Sequence, residues 1–185
     1  MNFFKAVVCS TEKMYPHANT KPPPRPKDQS EMLQNDYDLI VQQLGISIPT
    51  TKPAANYVNA IRNGDLLYLS GKGPYFRDGI IKEGKLGKEF TSTQGYEFAK
   101  DACINLLSSI RSETGSLSSI VQVIEIQGFV NCTEDFRDHA KVLDGCSDLL
   151  TSIFGERGKH ARSVFGANSL RDQLPVIIKG IVKIK

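Results

Sequence analysis

The segment from Thr91 to Gly115 constrains the fold of this 185-residue chain more than any other part of the sequence. Its apolar residues recur at intervals of three and four, which predicts one long amphipathic helix. Thr91 and Gln94 have the capping-box pattern that begins a helix, and Gly115 is the residue type that ends one. The apolar stripe consists of Ala99, Ala102, Cys103, Leu106, Leu107 and Ile110. Such a stripe must be covered by a second layer of structure.

The other predicted elements supply that layer. A second long helix is predicted over about residues 136–154, and a shorter helix begins near Ser30 and ends before Gly45. Asn63-Gly64-Asp65 is a hairpin-turn signal between two apolar segments. Strands are predicted at 57–62, 66–71, 121–131, 162–167 and 176–185, with a short strand or arm at 80–85.

This order of elements predicts an α+β fold. We expect a two-layer sandwich in which a mixed sheet carries both long helices on one face. The other face of the sheet must be covered, solvated or buried in an oligomer. Ile177 and Ile178 place apolar side chains on opposite sides of the last strand, which favours a second buried face and therefore an oligomer.

Residues 1–28 differ from the predicted domain at residues 29–185. They contain five of the nine prolines, and five basic residues precede Asp28 against one acid, Glu12. Proline removes amide donors and fixes φ, so a regular helix or a central strand is excluded there. We interpret the segment as a flexible or extended tail. The alternative is an organelle-targeting segment, mitochondrial for example, although the Arg- and Ser-rich amphipathic pattern of such segments is missing.

Composition excludes several classes of function. The net charge is +3 with acidic and basic residues well mixed, which argues against a nucleic-acid-binding surface. No apolar run approaches the roughly 20 residues that span a bilayer, so we expect no membrane insertion. The cysteines form no CxxC pair and have no histidine at zinc-ligand spacing, and they are Cys9, Cys103, Cys132 and Cys146. We expect buried thiols in a reducing, cytoplasmic compartment, with no bound metal and no cofactor.

Four short segments resemble the Rid/YjgF family, also called L-PSP endoribonuclease-like, in order and spacing. None is specific alone, but together they cover roughly residues 36–185. They are Asn56-Tyr57-Val58, Leu69-Ser70-Gly71, Gly128-Phe129-Val130-Asn131 and His160-Ala161-Arg162-Ser163. The stretch Lys141 to Leu150 resembles a less studied branch.

The resemblance implies a chorismate-mutase-like fold and a homotrimer with small-molecule clefts between subunits. The better-known members hydrolyse enamine and imine acids such as 2-aminoacrylate to 2-keto acids and ammonia. Other members are described as ribonucleases or have no assigned reaction.

The same resemblance implies a set of site residues. Arg162 matches the arginine that holds a substrate carboxylate, a role that suits the two-pronged guanidinium. Tyr57 and Ser70 match catalytic positions in the cleft, where a hydroxyl orients an imine nitrogen or a water. Gly71 allows close approach of a ligand to the backbone, and Phe129 is expected to form an apolar wall. The simpler alternatives are an ion pair for Arg162 and ordinary packing for the others.

Two positions depart from the deaminase pattern. Lys179 stands where those members have a glutamate that positions water, and Glu134 stands where they have an asparagine. Glu134 is a candidate compensating acid or a helix cap. Lys179 and Arg162 together predict a cleft that binds a small anionic metabolite. His160, two residues before Arg162, is expected on the same side of the strand, as a proton donor in the cleft or as a surface histidine.

Three functions therefore remain open from the sequence. The first is hydrolytic deamination of small enamine or imine acids anchored by Arg162. The second is a trimer that binds a metabolite or a partner protein without chemistry, which Lys179 favours. The third is an endoribonuclease, which rests on the family name and is disfavoured by the balanced charge.

Overall fold

The computed structural model describes residues 36–53, 55–76 and 79–185. The predicted tail at 1–28 and the predicted helix start at Ser30 lie outside these ranges. Three helices are described, α1 (Tyr37–Gln43), α2 (Ser92–Thr114) and α3 (His139–Phe154). The strands are β1 (Ala60–Asn63), β2 (Leu66–Lys72), β3 (Ile120–Asn131), β4 (Ala161–Ala167) and β5 (Val176–Ile184).

The five strands form one mixed sheet in the order β1-β2-β5-β3-β4. All neighbouring pairs are antiparallel except β3 and β4, which are parallel and are connected through α3. Parallel neighbours require such a crossover, which is why α3 lies between them in sequence. The predicted α+β architecture with a mixed sheet and two long helices is confirmed.

Helix α2 has the ends that its sequence predicts. The Thr91 hydroxyl accepts from the Gln94 amide, and the Gln94 side chain accepts from the Thr91 amide, so the capping box is complete. Gly115 ends the helix at φ 78°, where a side chain would be strained. All six residues of the predicted stripe are buried.

Helices α2 and α3 pack against each other through backbone contact. A Cβ on Gly145 of α3 would lie 2.1 Å from the Tyr96 carbonyl oxygen of α2. Glycine therefore sets the close approach of these helices, since any side chain would force them apart. Beneath them, Gly128 of β3 leaves room for Leu143, which its Cβ would meet at 2.7 Å.

Two predicted elements were placed wrongly at their starts, and one of two alternatives was excluded for a third segment. Strand β1 begins at Ala60, because Tyr57 turns back with its amide donating to the Ala55 carbonyl. Helix α3 begins at His139, because the buried Phe136 reaches the core from a turn that precedes the helix. Residues 80–85, predicted as a short strand or arm, contain no strand, which leaves the arm. The adjacent Leu86 forms isolated bridges to Phe90 and Cys132.

The two faces of the sheet differ in what covers them. Helices α2 and α3 cover one side, where Ile126, Ile178 and Val182 are at most 1% exposed. The alternating residues point the other way, and we call that side the open face. Pairing of the strands places on it Ile61, Tyr68, Ser70, Glu125, Gln127, Phe129, Ser163, Phe165, Ile177, Lys179 and Ile181.

Candidate functional site

A polar row crosses the middle of the open face. Gln127 pairs with Lys179 on one side and with Ser163 on the other. A bulge in β2 between Leu69 and Lys72 places Ser70 and Gly71 opposite Lys179. The structure therefore brings together three predicted site residues from β2 and β5.

The Ser70 hydroxyl is already engaged. It donates to the Val58 carbonyl at 2.6 Å. This bond fixes the segment before β1 to the bulge in β2. Tyr57, the residue before Val58, is 46% exposed and lies before β1. A Cβ on Gly71 would lie 3.0 Å from the Ile177 side chain, so the bulge has little spare room.

An aromatic pair borders the polar row. Phe129 stacks on Phe165 of β4 with ring centroids 5.8 Å apart and an interplanar angle of 26°. Phe129 is half-buried, whereas Phe165 is 50% exposed. The pair forms an apolar patch on the open face. That Phe129 forms the wall of a ligand cleft stays a prediction.

The polar row also contains an acid that sequence reasoning did not single out. Glu125 lies two residues before Gln127 on the same face of β3, and its carboxylate accepts from the Gln127 side chain at 2.9 Å. Gln127 therefore connects a carboxylate to the position beside Lys179. At this point of the open face an acid therefore lies on β3 and a cation on β5.

Arg162 projects to the other side of the sheet, toward α3. It pairs with Ile126, which faces the helices. Its Nη1 donates to Asp144 Oδ1 at 2.6 Å and to Ser147 Oγ at 3.2 Å. Among the described residues, both hydrogen bonds of the Arg162 guanidinium are donated by Nη1. The edge formed by Nη2 and Nε therefore remains for an oxyanion. The side chain is 30% exposed.

His160 contacts the same serine. Its Nε2 lies 3.1 Å from Ser147 Oγ, and its Nδ1 lies 2.6 Å from the Gly158 carbonyl oxygen. Burial lowers the pKa of His160 below the usual 6.5; the hydrogen bond to Gly158 opposes this, and the Arg162 charge adds to it. The lowered pKa therefore favours the neutral ring at pH 7. We call Asp144, Ser147, His160 and Arg162 the Arg162 network.

Part of the Arg162 network could be inferred from the spacing of its residues in the sequence. Asp144 and Ser147 are three apart on α3, and His160 and Arg162 are two apart at β4. Each pair was visible alone, as a polar helix face and as one side of a strand. Their meeting depends on the turn at Gly155–Gly158, which no spacing rule predicts.

Glu134 lies elsewhere. It is exposed in the loop after β3 and lines an open pocket of about 270 Å³ with Cys132, His139 and Gly166. Gly166 is four residues beyond Arg162 on β4, which is roughly 13 Å at the usual rise per residue. The structure thus does not bring Glu134 to Arg162.

That pocket contains a thiol and an imidazole in contact. Cys132 Sγ lies 3.3 Å from His139 Nε2. Gly166 covers both, since its Cβ would meet the imidazole at 2.7 Å and the sulfur at 3.2 Å. Cys103, Cys132 and Cys146 are free and buried, as expected, and Cys9 lies outside the described residues.

Lys72 is a second residue that the sequence did not single out. It is 6% exposed, and its Nζ donates to Asn59 Oδ1 at 2.5 Å. Burial lowers the pKa of the Lys72 amine, and the charge of Arg171 lowers it further. A buried cation therefore lies directly behind the Ser70 bulge.

Two features are missing from the described part of the chain. None of its helices combines the length and the apolar character that crossing a bilayer requires. Its His, Cys, Asp and Glu side chains do not gather in groups of three or more suited to holding a metal ion.

Comparison with known proteins identifies the family. The family model described as "YjgF/chorismate mutase-like, putative endoribonuclease" matches residues 40–177. Protein TCP17 of Trypanosoma cruzi is 33% identical over 146 residues, which are 78% of this chain and 91% of that protein. The chain belongs to the YjgF/chorismate mutase-like family.

Solved structures agree with this assignment. The protein Atu1372 of Agrobacterium tumefaciens, whose function is unknown, is 31% identical with a TM-score of 0.76. The match covers 84% of this chain and 96% of that one. A "putative endoribonuclease" of Shewanella oneidensis MR-1 is 28% identical with a TM-score of 0.76, covering 80% of this chain and 99% of that one.

Proposed function

We propose that this protein binds a small carboxylate-bearing metabolite at Arg162 and hydrolyses an enamine or imine acid there. The observation that carries the proposal is the orientation of the guanidinium. Asp144 and Ser147 hold it through Nη1, which leaves the Nη2–Nε edge for two parallel bonds to a carboxylate. An arginine fixed in this way loses little further freedom when a ligand binds.

A homotrimer would complete the site. Arg162 and His160 project toward α3, whereas Ser70, Phe129 and Lys179 lie on the open face, so one subunit does not assemble them all. The open face also exposes Ile61 by 61%, Phe165 by 50% and Tyr68 by 39%. Such a face is suited to contact with further copies, which would form the clefts. Sedimentation of the chain at micromolar concentration as a monomer would contradict this.

The decisive experiment measures ammonia release from 2-aminoacrylate and 2-iminobutyrate generated in situ. We expect the wild-type chain to accelerate release and Arg162→Ala to lose most of the acceleration. Arg171→Ala is the matched control, since Arg171 is exposed and forms its ion pair with the neighbouring Asp172. Full activity in Arg162→Ala would refute the anchoring role.

A second candidate is a trimer that binds an anionic metabolite or a partner without chemistry. Lys179 favours it, because an exposed ammonium beside Gln127 offers no base for water. Glu125 is the carboxylate that the deaminase would need instead. Glu125→Gln therefore separates the two functions: a deaminase loses turnover, while a binding protein retains its ligand in calorimetric titration.

Two further aspects follow as proposals. The relatives named as endoribonucleases raise ribonuclease activity as an alternative, which incubation with single-stranded RNA tests directly. The three free, buried thiols favour a reducing compartment, and we place the protein in the cytoplasm.

A further inference from the structure

The hydroxyl of Ser147 has two polar neighbours with different roles. Arg162 Nη1 lies 3.2 Å from Ser147 Oγ, and His160 Nε2 lies 3.1 Å from it. A guanidinium N–H can only donate, so Arg162 donates to the oxygen. The hydroxyl proton is then directed to His160.

The tautomer of His160 follows from its other contact. The Gly158 carbonyl oxygen lies 2.6 Å from Nδ1 and can only accept, so Nδ1 carries the proton. In the neutral ring, Nε2 then has a lone pair that accepts from Ser147. A serine hydroxyl bonded to a histidine whose far nitrogen is held by an acceptor is the arrangement that activates a nucleophile.

The turn between α3 and β4 fixes this arrangement. A Cβ on Gly158 would lie 2.3 Å from the Leu150 carbonyl oxygen, so the turn rests directly on the helix backbone. Thr151 Oγ1 donates to the Ser147 carbonyl within the same helix. Gly158, whose carbonyl accepts from His160, and Ser147, which faces the same ring, are therefore held in one packed unit.

We infer that Ser147 is an activated nucleophile, with His160 as its base, that accepts an acyl group from a small carboxylate-bearing ester. This activity goes beyond imine hydrolysis and shares with it only Arg162 as the carboxylate anchor. Arg162 also donates to Oγ, and its positive charge favours loss of the hydroxyl proton to His160.

The step balances without an external reagent other than water. Ser147 Oγ attacks the ester carbonyl carbon and forms a C–O bond, while its proton passes to His160 Nε2. The bond to the leaving alkoxide breaks, and His160 returns the proton to it. Water then attacks the acyl carbon, gives a proton to His160, and releases the acid as Ser147 recovers its proton.

Ser152 provides a matched comparison on the same helix. It is more exposed than Ser147, and its hydroxyl donates to the Leu149 carbonyl at 2.8 Å. Exposure alone would make Ser152 the more reactive of the two. Activation by His160 predicts the opposite order.

The test uses the whole chain and an alkyl fluorophosphonate. Ser147 Oγ forms a bond to phosphorus, fluoride leaves, and His160 takes the proton. Peptide mass spectrometry of the wild-type chain locates the label. We expect Ser147 to react at least about 100-fold faster than Ser152, the lower range for general-base assistance. Equal or slower labelling at Ser147 overturns the inference.

Variants then test the base. His160→Gln is expected to slow labelling of Ser147 about 100-fold or more, with a melting temperature near that of wild type, and unchanged labelling in this variant overturns the inference. Because the wild-type measurement needs no variant, it stands even if His160→Gln fails to fold. Imine substrates are absent from the test, so its failure leaves the proposed deaminase untouched. The ammonia assay bears on this inference only through the shared anchor, Arg162, and not through Ser147 or His160.

Discussion

The two faces of the sheet differ in burial, although the same strands form both. On the side toward α2 and α3, every second residue of β5 is buried, and Ile178 has no exposed surface. On the open face, the alternate positions Lys179 and Lys183 are exposed, and Ile177 and Ile181 are half-buried. One side is therefore a finished core, while the other is a surface with the composition of a contact. The stability of the subunit should depend on the side covered by the helices, and oligomer formation should depend on the open face.

The largest expected effect separates a core residue from an apolar residue of the open face. Leu107 has no exposed surface, and Leu107→Ala should lower the free energy of unfolding by about 2–5 kcal/mol because it leaves a cavity. Ile61, which is 61% exposed, should change the stability of the subunit by less than about 0.5 kcal/mol when replaced by alanine. Urea unfolding of both variants under dilute conditions measures the contrast. Similar losses would mean that the open face is part of the subunit core.

Two glycines sharpen the comparison at the level of backbone contact. Gly145→Ala places a methyl group 2.1 Å from a carbonyl oxygen, so the helices must separate and about 1–3 kcal/mol should be lost. Gly71→Ala on the open-face bulge meets only the Ile177 side chain at 3.0 Å, which can shift. Thermal unfolding of the pair should show the larger decrease for Gly145→Ala. The reverse order would contradict the backbone contact between α2 and α3.

Assembly should respond to a charge on the open face. Phe165→Asp removes half of the stacked pair and places a carboxylate on the proposed subunit contact. We expect the dissociation constant of the oligomer to rise about tenfold or more, equal to about 1.4 kcal/mol. Sedimentation velocity over a concentration series measures it, and Lys88→Asp, at an exposed ion pair away from the sheet, is the control. An unchanged mass distribution would show that the open face is not the contact.

The smallest expected effect concerns the Arg162 network and pH. Burial, with the nearby Arg162 charge, lowers the pKa of His160 in the native state, so the unfolded chain binds a proton that the native chain does not. The free energy of unfolding should therefore fall as the pH drops below about 6.5. His160→Gln should show a shallower decrease over the same range. Parallel pH profiles for the two proteins would indicate a histidine that titrates normally.

Much of the covered side could be predicted from the sequence, because its causes are local. The cap at Thr91 and the glycine at 115 both operate within one turn of α2, and the stripe between them follows from helical spacing. The predicted start of α3 was wrong because an apolar residue indicates burial but not helical structure. Phe136 is buried, although it lies before the helix.

The candidate site was less predictable because it depends on contacts between distant residues. The bulge between Leu69 and Lys72 decides which side chain faces Lys179, and bulges leave no clear mark in a sequence. Ser147 and His160 meet through a turn, so their pairing appears only when helix and strand are placed together. Arg162 was singled out by resemblance, and its orientation toward Asp144 required the structure.

The strand order has a consequence for how the chain reaches its fold. Strands β1 and β2 form a hairpin, and β3, α3 and β4 form a consecutive unit, so each of these pieces has its partners nearby in sequence. Strand β5 lies between them and hydrogen-bonds to both β2 and β3, although it follows all the other strands along the chain. Strand β5 therefore joins two units that are each local in sequence, and its pairing with β2 closes a loop of more than a hundred residues. We expect that closure to limit the rate of folding, as sequence-distant pairings generally do.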